Sequence, residues 1–260
     1  MDYVIPALPF AFAMFVGMLI CLEIGRRVGK HYLAKDPHGA MSGIGVVQSA
    51  LFSLFGLLIA FTFNGGPSRL DARRKLIQSQ ANAIGTAYLR VDLLSPESQP
   101  AMREYFREYV DSQLQIFRQL PDVKSAQAEL TRSATLQDAI WKATLADTRL
   151  PGTNPDAPKL LIPAVNDMFD VSASRILATR NHPPVGTFAL LFLLALVCST
   201  LAGYSMAGSN ARNWLHINAF AVVFVISVYV SLEMEYPRTA LLPVESAYDQ
   251  VLVDLRASMQ

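Results

Sequence analysis

Ile44–Phe63 reads IGVVQSALFSLFGLLIAFTF, twenty residues without a charge. As a helix rising about 1.5 Å per residue, a run of that length crosses the roughly 30 Å of hydrocarbon in a bilayer. Three further runs match it. Val4–Leu22 has no charge in 19 residues, Asn181–Ala211 has none in 31, and Asn213–Leu232 carries only His216. Spanning segments must satisfy every backbone N–H and C=O internally, and a helix does so. The sequence therefore predicts an all-α integral membrane protein with four transmembrane helices in two hairpins and a helical extramembrane domain inserted between spans 2 and 3. The boundaries follow the runs. Residues 1–66 form a first hairpin with spans at about 4–22 and 44–63, and residues 67–182 form the inserted domain. Residues 183–236 form a second hairpin with spans at about 185–208 and 213–234, and 237–260 form an amphipathic tail. No basic residue precedes the first run, so it reads as a retained anchor rather than a cleaved leader.

Composition agrees with the runs. Hydrophobic residues make up 52% of the chain, charged ones 17%, and the mean hydropathy is +0.29. Soluble domains carry about 25% charged residues, so a single soluble domain is excluded. The net charge of +1 lacks the basic excess that a nucleic-acid partner requires. Cys21 and Cys198 both lie inside apolar runs, which excludes a disulfide framework.

The central segment holds 15 of the 22 basic residues and 13 of the 21 acidic ones, as a water-facing insertion should. From Ser68, Leu70, Ile77, Ala81, Ile84, Tyr88 and Val91 make a seam spaced seven, four, three, four and three. Fewer than four heptads favour a helix packed in a small bundle over a free coiled coil. A second helix follows Pro100, facing inward with Met102, Phe106, Val110, Phe117 and Leu120, and Pro121 stops it. A third runs over about Val123–Leu150, the Pro- and Gly-rich 151–158 is a loop, and a fourth runs over Leu160–Arg180. In the tail, Val244, Tyr248, Val251 and Leu255 recur at helical spacing and predict a helix packed on this domain.

No catalytic pattern holds. The four histidines have no partner at metal-ligand spacing, Gly43-Ile-Gly45 lacks a third glycine, and no phosphate loop or nucleophile elbow occurs. An enzyme and a cofactor are not expected, and polar residues in or beside the spans become the candidates. In span 2, Ser49, Ser53, Gly56, Ala60 and Asn64 share one helix face, with Phe52, Phe55, Ile59 and Phe63 beside them. Two readings stay open: close helix packing through small residues, or the wall of a path with a hydrophobic constriction at Ile59 and Phe63. Ala195, Ser199 and Gly203 form a similar stripe in span 3 that reads as packing. At the far end of span 2 lie Arg69, Arg73, Arg74 and Lys75, and at the end of span 4 lie Glu233, Glu235 and Arg238. Their opposite charge at one depth predicts ion pairs, of Glu233 or Glu235 with Arg69 or Arg73, or else an ion vestibule. Asn166, Asp167, Asp170 and Arg175 read as a solvated helix face, and Glu23 with Arg27 as a helix pair.

Leu54–Asn64, Asp71–Arg74, Ala81–Arg90, Asn166–Asp170, Arg212–His216 and Glu235–Arg238 resemble the bacterial bestrophin-like domain family of four-span membrane proteins. The resemblance implies the bacterial inner membrane and a distant kinship with bestrophins, pentameric anion channels whose second span lines the pore. It therefore implies a homo-oligomer, pentameric by that analogy, passing small anions. The sequence has no acidic run like the calcium clasp of animal bestrophins. The other reading is a non-conducting scaffold or sensor whose Leu70–Val91 seam meets a protein or lipid.

Orientation follows from charge. Arg26, Arg27, Lys30 and Lys35 follow span 1, and Arg212 lies in the other short connection. By the positive-inside rule these connections are cytoplasmic, and both termini and the central domain are extracytoplasmic. The basic cluster after span 2 and the bestrophin analogy point the other way.

Overall fold

The computed structural model describes residues 7–36, 43–119, 123–181, 183–209, 214–235 and 249–259. The described residues form helices and turns without a strand. In chain order the helices are α1 (Ala7–Lys35), α2 (Ile44–Leu89), α3 (Gln99–Arg118), α4 (Val123–Asp147), α5 (Ala157–Arg180), α6 (Val185–Ser205), α7 (Trp214–Glu235) and α8 (Gln250–Ser258). Short 3-10 turns follow α2 at Arg90–Leu93 and α6 at Met206–Gly208. Four helical segments are long and apolar enough to cross a membrane: Ala7–Lys35, Ile44–Leu93, Val185–Gly208 and Trp214–Glu235. The chain is a multi-pass membrane protein. It divides into two compact units, residues 1–70 with 182–241, and residues 71–181 with 242–260.

Helix α2 departs from expectation. The sequence ends span 2 at about residue 63 and begins the seam at Ser68, yet one helix runs from Ile44 to Leu89 through Gly65, Gly66 and Pro67. Proline inside a helix forfeits one hydrogen bond and crowds the carbonyl four residues back, a cost of about 3 kcal/mol that spanning helices tolerate when neighbours re-satisfy the backbone. Here Gly66 is buried, and a Cβ on it would lie 3.2 Å from Cβ of Met234 on α7.

In the first unit α1 packs on α6 and α7. Between α1 and α6 the contact is backbone to backbone. A Cβ on Gly25 would sit 1.9 Å from the Thr200 carbonyl oxygen, and one on Gly203 2.0 Å from that of Leu22. One turn further, a Cβ on Gly29 would meet Cβ of Ala207 at 2.6 Å. Lipid tails provide no hydrophobic drive for helix association, so such proximity gives dispersion contact that bulky side chains would prevent. Ala195, Ser199 and Gly203 are buried in this packing, and Ser199 Oγ donates to the Ala195 carbonyl at 2.7 Å, so its hydroxyl needs no other partner. Helix α2 meets α7 through rings instead. Phe55 is fully buried and stacks on Phe224 with centroids 4.8 Å apart and planes 2° from parallel, while Phe52 meets Phe220 edge-on at 5.7 Å.

The second unit is a small helical bundle. From the seam, Ile77, Ala81, Ile84, Tyr88 and Val91 are buried in its core with Met102, Phe106, Val110, Ile140, Leu161 and Met168. Leu120 and Pro121 lie outside the described residues. Helix α4 ends three residues earlier than expected, and α5 starts three earlier, led in by Pro158. Helix α8 packs on α3: Leu252 is fully buried, and Arg256 grips Asp111 with two hydrogen bonds of 2.9 and 3.0 Å. Val251, expected on the inner face, is 41% exposed, while Leu255 packs against the core as expected beside Leu252. Val244 and Tyr248 lie outside the described residues.

Candidate functional site

The outward face of span 2 carries the candidate residues. Ser49, Ser53, Gly56, Ala60, Phe63 and Asn64 are exposed, and a Cβ on Gly56 would meet nothing within 4 Å. Phe52 and Ile59 are half-buried against the core of the first unit, with Phe55 between them. The helix thus has an aromatic face turned to α7 and a small, weakly polar face turned away. Only 6% of its most apolar window is buried, against 28%, 39% and 22% for the windows of α1, α6 and α7. Large apolar side chains, Val46, Val47, Leu54, Leu57 and Phe61, are exposed beside the polar stripe. Among the small stripes, that of α6 is closed by α1 within the chain, and that of α2 is open.

At the far end of span 2, Arg69 Nη2 lies 2.7 Å from Glu235 Oε2, and Arg69 Nε donates to the same oxygen at 2.8 Å. Glu235 is 1% exposed and Arg69 is 30% exposed. A buried carboxylate needs such a partner, because losing it strands a charge in a low-dielectric site. Glu233 accepts a hydrogen bond from Tyr229 one turn back on α7. Arg73 makes its described contacts elsewhere. It is buried in the second unit, and it donates to the carbonyls of Ala178 and Asn181 at 3.3 Å each. That contact places a cation at the C-terminal end of α5, where the helix dipole favours one. Arg74 pairs with Asp71 at 3.2 Å, an i, i+3 contact on the surface. Arg238 lies outside the described residues. Among the described contacts the basic cluster separates into residues with different tasks, and Arg69 and Glu235 come together.

Arg175 corrects the reading of its neighbourhood. Asn166, Asp167 and Asp170 are exposed, and Asn166 bonds Asp170 at 2.9 Å. Arg175 is instead 3% exposed, stacked over the Phe117 ring at 3.6 Å and donating to Gln80 Oε1 and Asp249 Oδ1 at 2.7 Å each. Gln80 in turn donates to Gln113 Oε1 at 2.8 Å, and Gln113 donates to Ser133 at 2.6 Å. Five residues past Asp170, roughly 140° further round the helix, Arg175 falls on the core face, where the Asp249 carboxylate compensates its charge and the polar chain inside the bundle satisfies its remaining donors. Nearby, burial pushes the Tyr109 hydroxyl above its ordinary pKa while Gln137 donates to it at 3.1 Å.

One feature had a readable signal that was passed over. Gly25-x-x-x-Gly29 is a small-x-x-x-small motif, matched by Ala195, Ser199 and Gly203 on α6 and by Ala207 in the turn after it, at steps of four. Arg26, counted by sequence among the basic residues that follow span 1, is buried, with Nη2 donating to the Ser209 carbonyl at 3.1 Å. Glu23 and Arg27 pair at 2.9 Å on the helix surface. Among the described residues no three or more His, Cys, Asp or Glu side chains gather to hold a metal.

No curated protein and no solved structure matches the chain. A family model for the bestrophin-like domain does, over residues 10–239. That match runs from inside the first apolar helix to just past the fourth and reaches into both units, so the chain belongs to the bestrophin-like domain family.

Proposed function

We propose that this protein is a homo-oligomeric conduit for small anions in the bacterial inner membrane, with the first half of α2 lining the path. The observation that carries this reading is the outward face of α2, the least buried span of its unit, where Ser49, Ser53, Gly56, Ala60 and Asn64 form an open polar stripe beside exposed Phe63. Small hydroxyl and amide groups along a helix suit partly hydrated anions, and an apolar ring gates such a path by dewetting. Phe63 and Ile59 are the constriction in this reading, with Phe63 the more exposed of the two. Kinship with the bestrophin channels supports the conduit and the oligomer by analogy. The reaction class is transport, without an enzymatic step or cofactor.

Chloride flux from vesicles reconstituted with the purified protein tests it. Conduction that rises when Phe63 is trimmed to alanine fits the reading, and vesicles that stay tight for both forms refute it. The scaffold reading loses ground from one observation, since its seam from Ile77 to Val91 is already buried in its own bundle.

For orientation we keep the cytoplasmic placement of Arg26, Arg27, Lys30 and Lys35, with both termini and the helical bundle extracytoplasmic. A C-terminal alkaline phosphatase fusion is then active, and a fluorescent protein exported there by the general route is dark. The opposite pair of signals inverts the topology.

A further inference from the structure

A cleft of about 260 Å³ opens beside α1 and is lined by Leu19, Ile20, Leu22, Met206, Trp214 and Ile217, with Gly203, Glu23 and Arg26 completing it. Its walls are apolar apart from the charged side chains of Glu23 and Arg26. Arg26 is 7% exposed, its Nε has no partner among the described residues, and its Nη2 reaches only the neutral carbonyl of Ser209. A guanidinium stays charged at any ordinary pH, and a buried charge without a counter-charge is costly. Glu23 borders the cleft, but its carboxylate is engaged by Arg27 at 2.9 Å, so Arg26 is the cation left to be compensated.

We propose that this cleft binds an anionic phospholipid, with the lipid phosphate accepting from Arg26 and the upper part of one acyl chain lying against Ile20 and Ile217. The ligand has to be charged at one end and apolar at the other, because a free anion would satisfy Arg26 and leave the apolar walls wet. The position fits. Arg26 stands four residues past the end of the first apolar run, at the edge of the hydrocarbon where lipid phosphates lie, and Trp214 opens α7 at the same cleft, as tryptophans do at membrane interfaces. The volume fits as well. At about 260 Å³ the cleft falls just short of the roughly 300–1,000 Å³ of sites that enclose a whole small ligand, so it holds one end of a lipid whose remainder stays in the bilayer. Arginine pairs with phosphate through charge-assisted hydrogen bonds, which gives the site its preference for net-anionic headgroups.

Brominated lipids quenching Trp214 fluorescence provide the test. The chain has two tryptophans, and Trp141→Phe leaves Trp214 alone. In phosphatidylcholine vesicles, brominated phosphatidylglycerol at low mole fraction is expected to quench Trp214 far more than brominated phosphatidylcholine at the same fraction. Arg26→Gln is expected to cut that preference about tenfold, the size of one charge-assisted hydrogen bond, while Arg27→Gln keeps it. Should Arg26→Gln fail to fold, Ile217→Phe, which fills the apolar end and keeps the charge, decides the matter by losing the preference. Equal quenching by the two lipids overturns the proposal, as does a preference that survives Arg26→Gln or, where that variant fails to fold, Ile217→Phe. Abolition of the preference by millimolar inorganic phosphate also overturns it, and would mark a free-anion site.

Discussion

Helices α6 and α2 each carry a stripe of small residues at steps of three or four, and the two stripes have opposite fates. Along α6, Ala195, Ser199 and Gly203 are sealed against α1, with Gly203 and Gly25 so close to the opposing main chain that any side chain there would collide with a carbonyl. Along α2, Ser49, Ser53, Gly56 and Ala60 face away from the rest of their unit, and Gly56 has open space beside it. A small-residue stripe therefore specifies a capacity for close approach, and the residues opposite it decide whether that capacity is used within the chain. Opposite the α6 stripe stands Gly25-x-x-x-Gly29. The face of α2 that meets α7 is built of phenylalanines instead, whose rings fill that contact, and the small face on the other side stays open.

Substitutions that break each contact sharpen the comparison. Gly203→Leu has the largest expected effect. A Cβ at that position lies 2.0 Å from a backbone oxygen with no flexible atom to yield, so α1 and α6 have to separate, at a cost above about 4 kcal/mol. Thermal unfolding in detergent should show the loss, and a melting temperature within a few degrees of wild type would break the account of the glycine contact. Phe55→Ala comes next. Removing a fully buried ring that stacks on Phe224 leaves a cavity and costs about 3–5 kcal/mol, read in the same assay.

Arg69→Met should cost less, about 2 kcal/mol, because Arg69 is partly exposed and water can reach Glu235 once the guanidinium is gone. The double substitution Arg69→Met with Glu235→Gln is expected to recover part of that loss, since it removes the stranded charge, and no recovery would mean that the pair contributes by packing alone. Gly56→Leu is expected to leave protomer unfolding within about 0.5 kcal/mol of wild type, as surface changes do, and to lower the particle mass measured in detergent. A Gly56→Leu protein that keeps its mass and loses stability would place the α2 stripe with the α6 stripe, and the contrast between them would fall.

The spans were legible because the signal is local. Nineteen or more residues without a charge need no partner to be recognised, and the bilayer imposes a helix on them. The seam from Ile77 to Val91 was legible for a similar reason, since apolar residues at helical spacing in a water-facing segment have one favourable place to go. Arg175 was not legible: its sequence neighbours Asp167 and Asp170 are solvated, and the groups that satisfy it, Gln80 and Asp249, lie 95 and 74 residues away. Arg26 was missed for the same cause, its neighbours Glu23 and Arg27 being a surface pair and its own contact, Ser209, lying 183 residues on.

By itself, then, the sequence determined that the chain is helical, that four of its helices suit a bilayer, and that a charged helical segment separates the second from the third. Those properties depend on hydrophobicity and spacing within one segment. Which face of α2 meets α7, which arginine pairs with Glu235, and which charges are taken inside were decided only by tertiary structure. Each depends on which distant residue arrives opposite, and on whether it brings a glycine, a ring or a carboxylate with it.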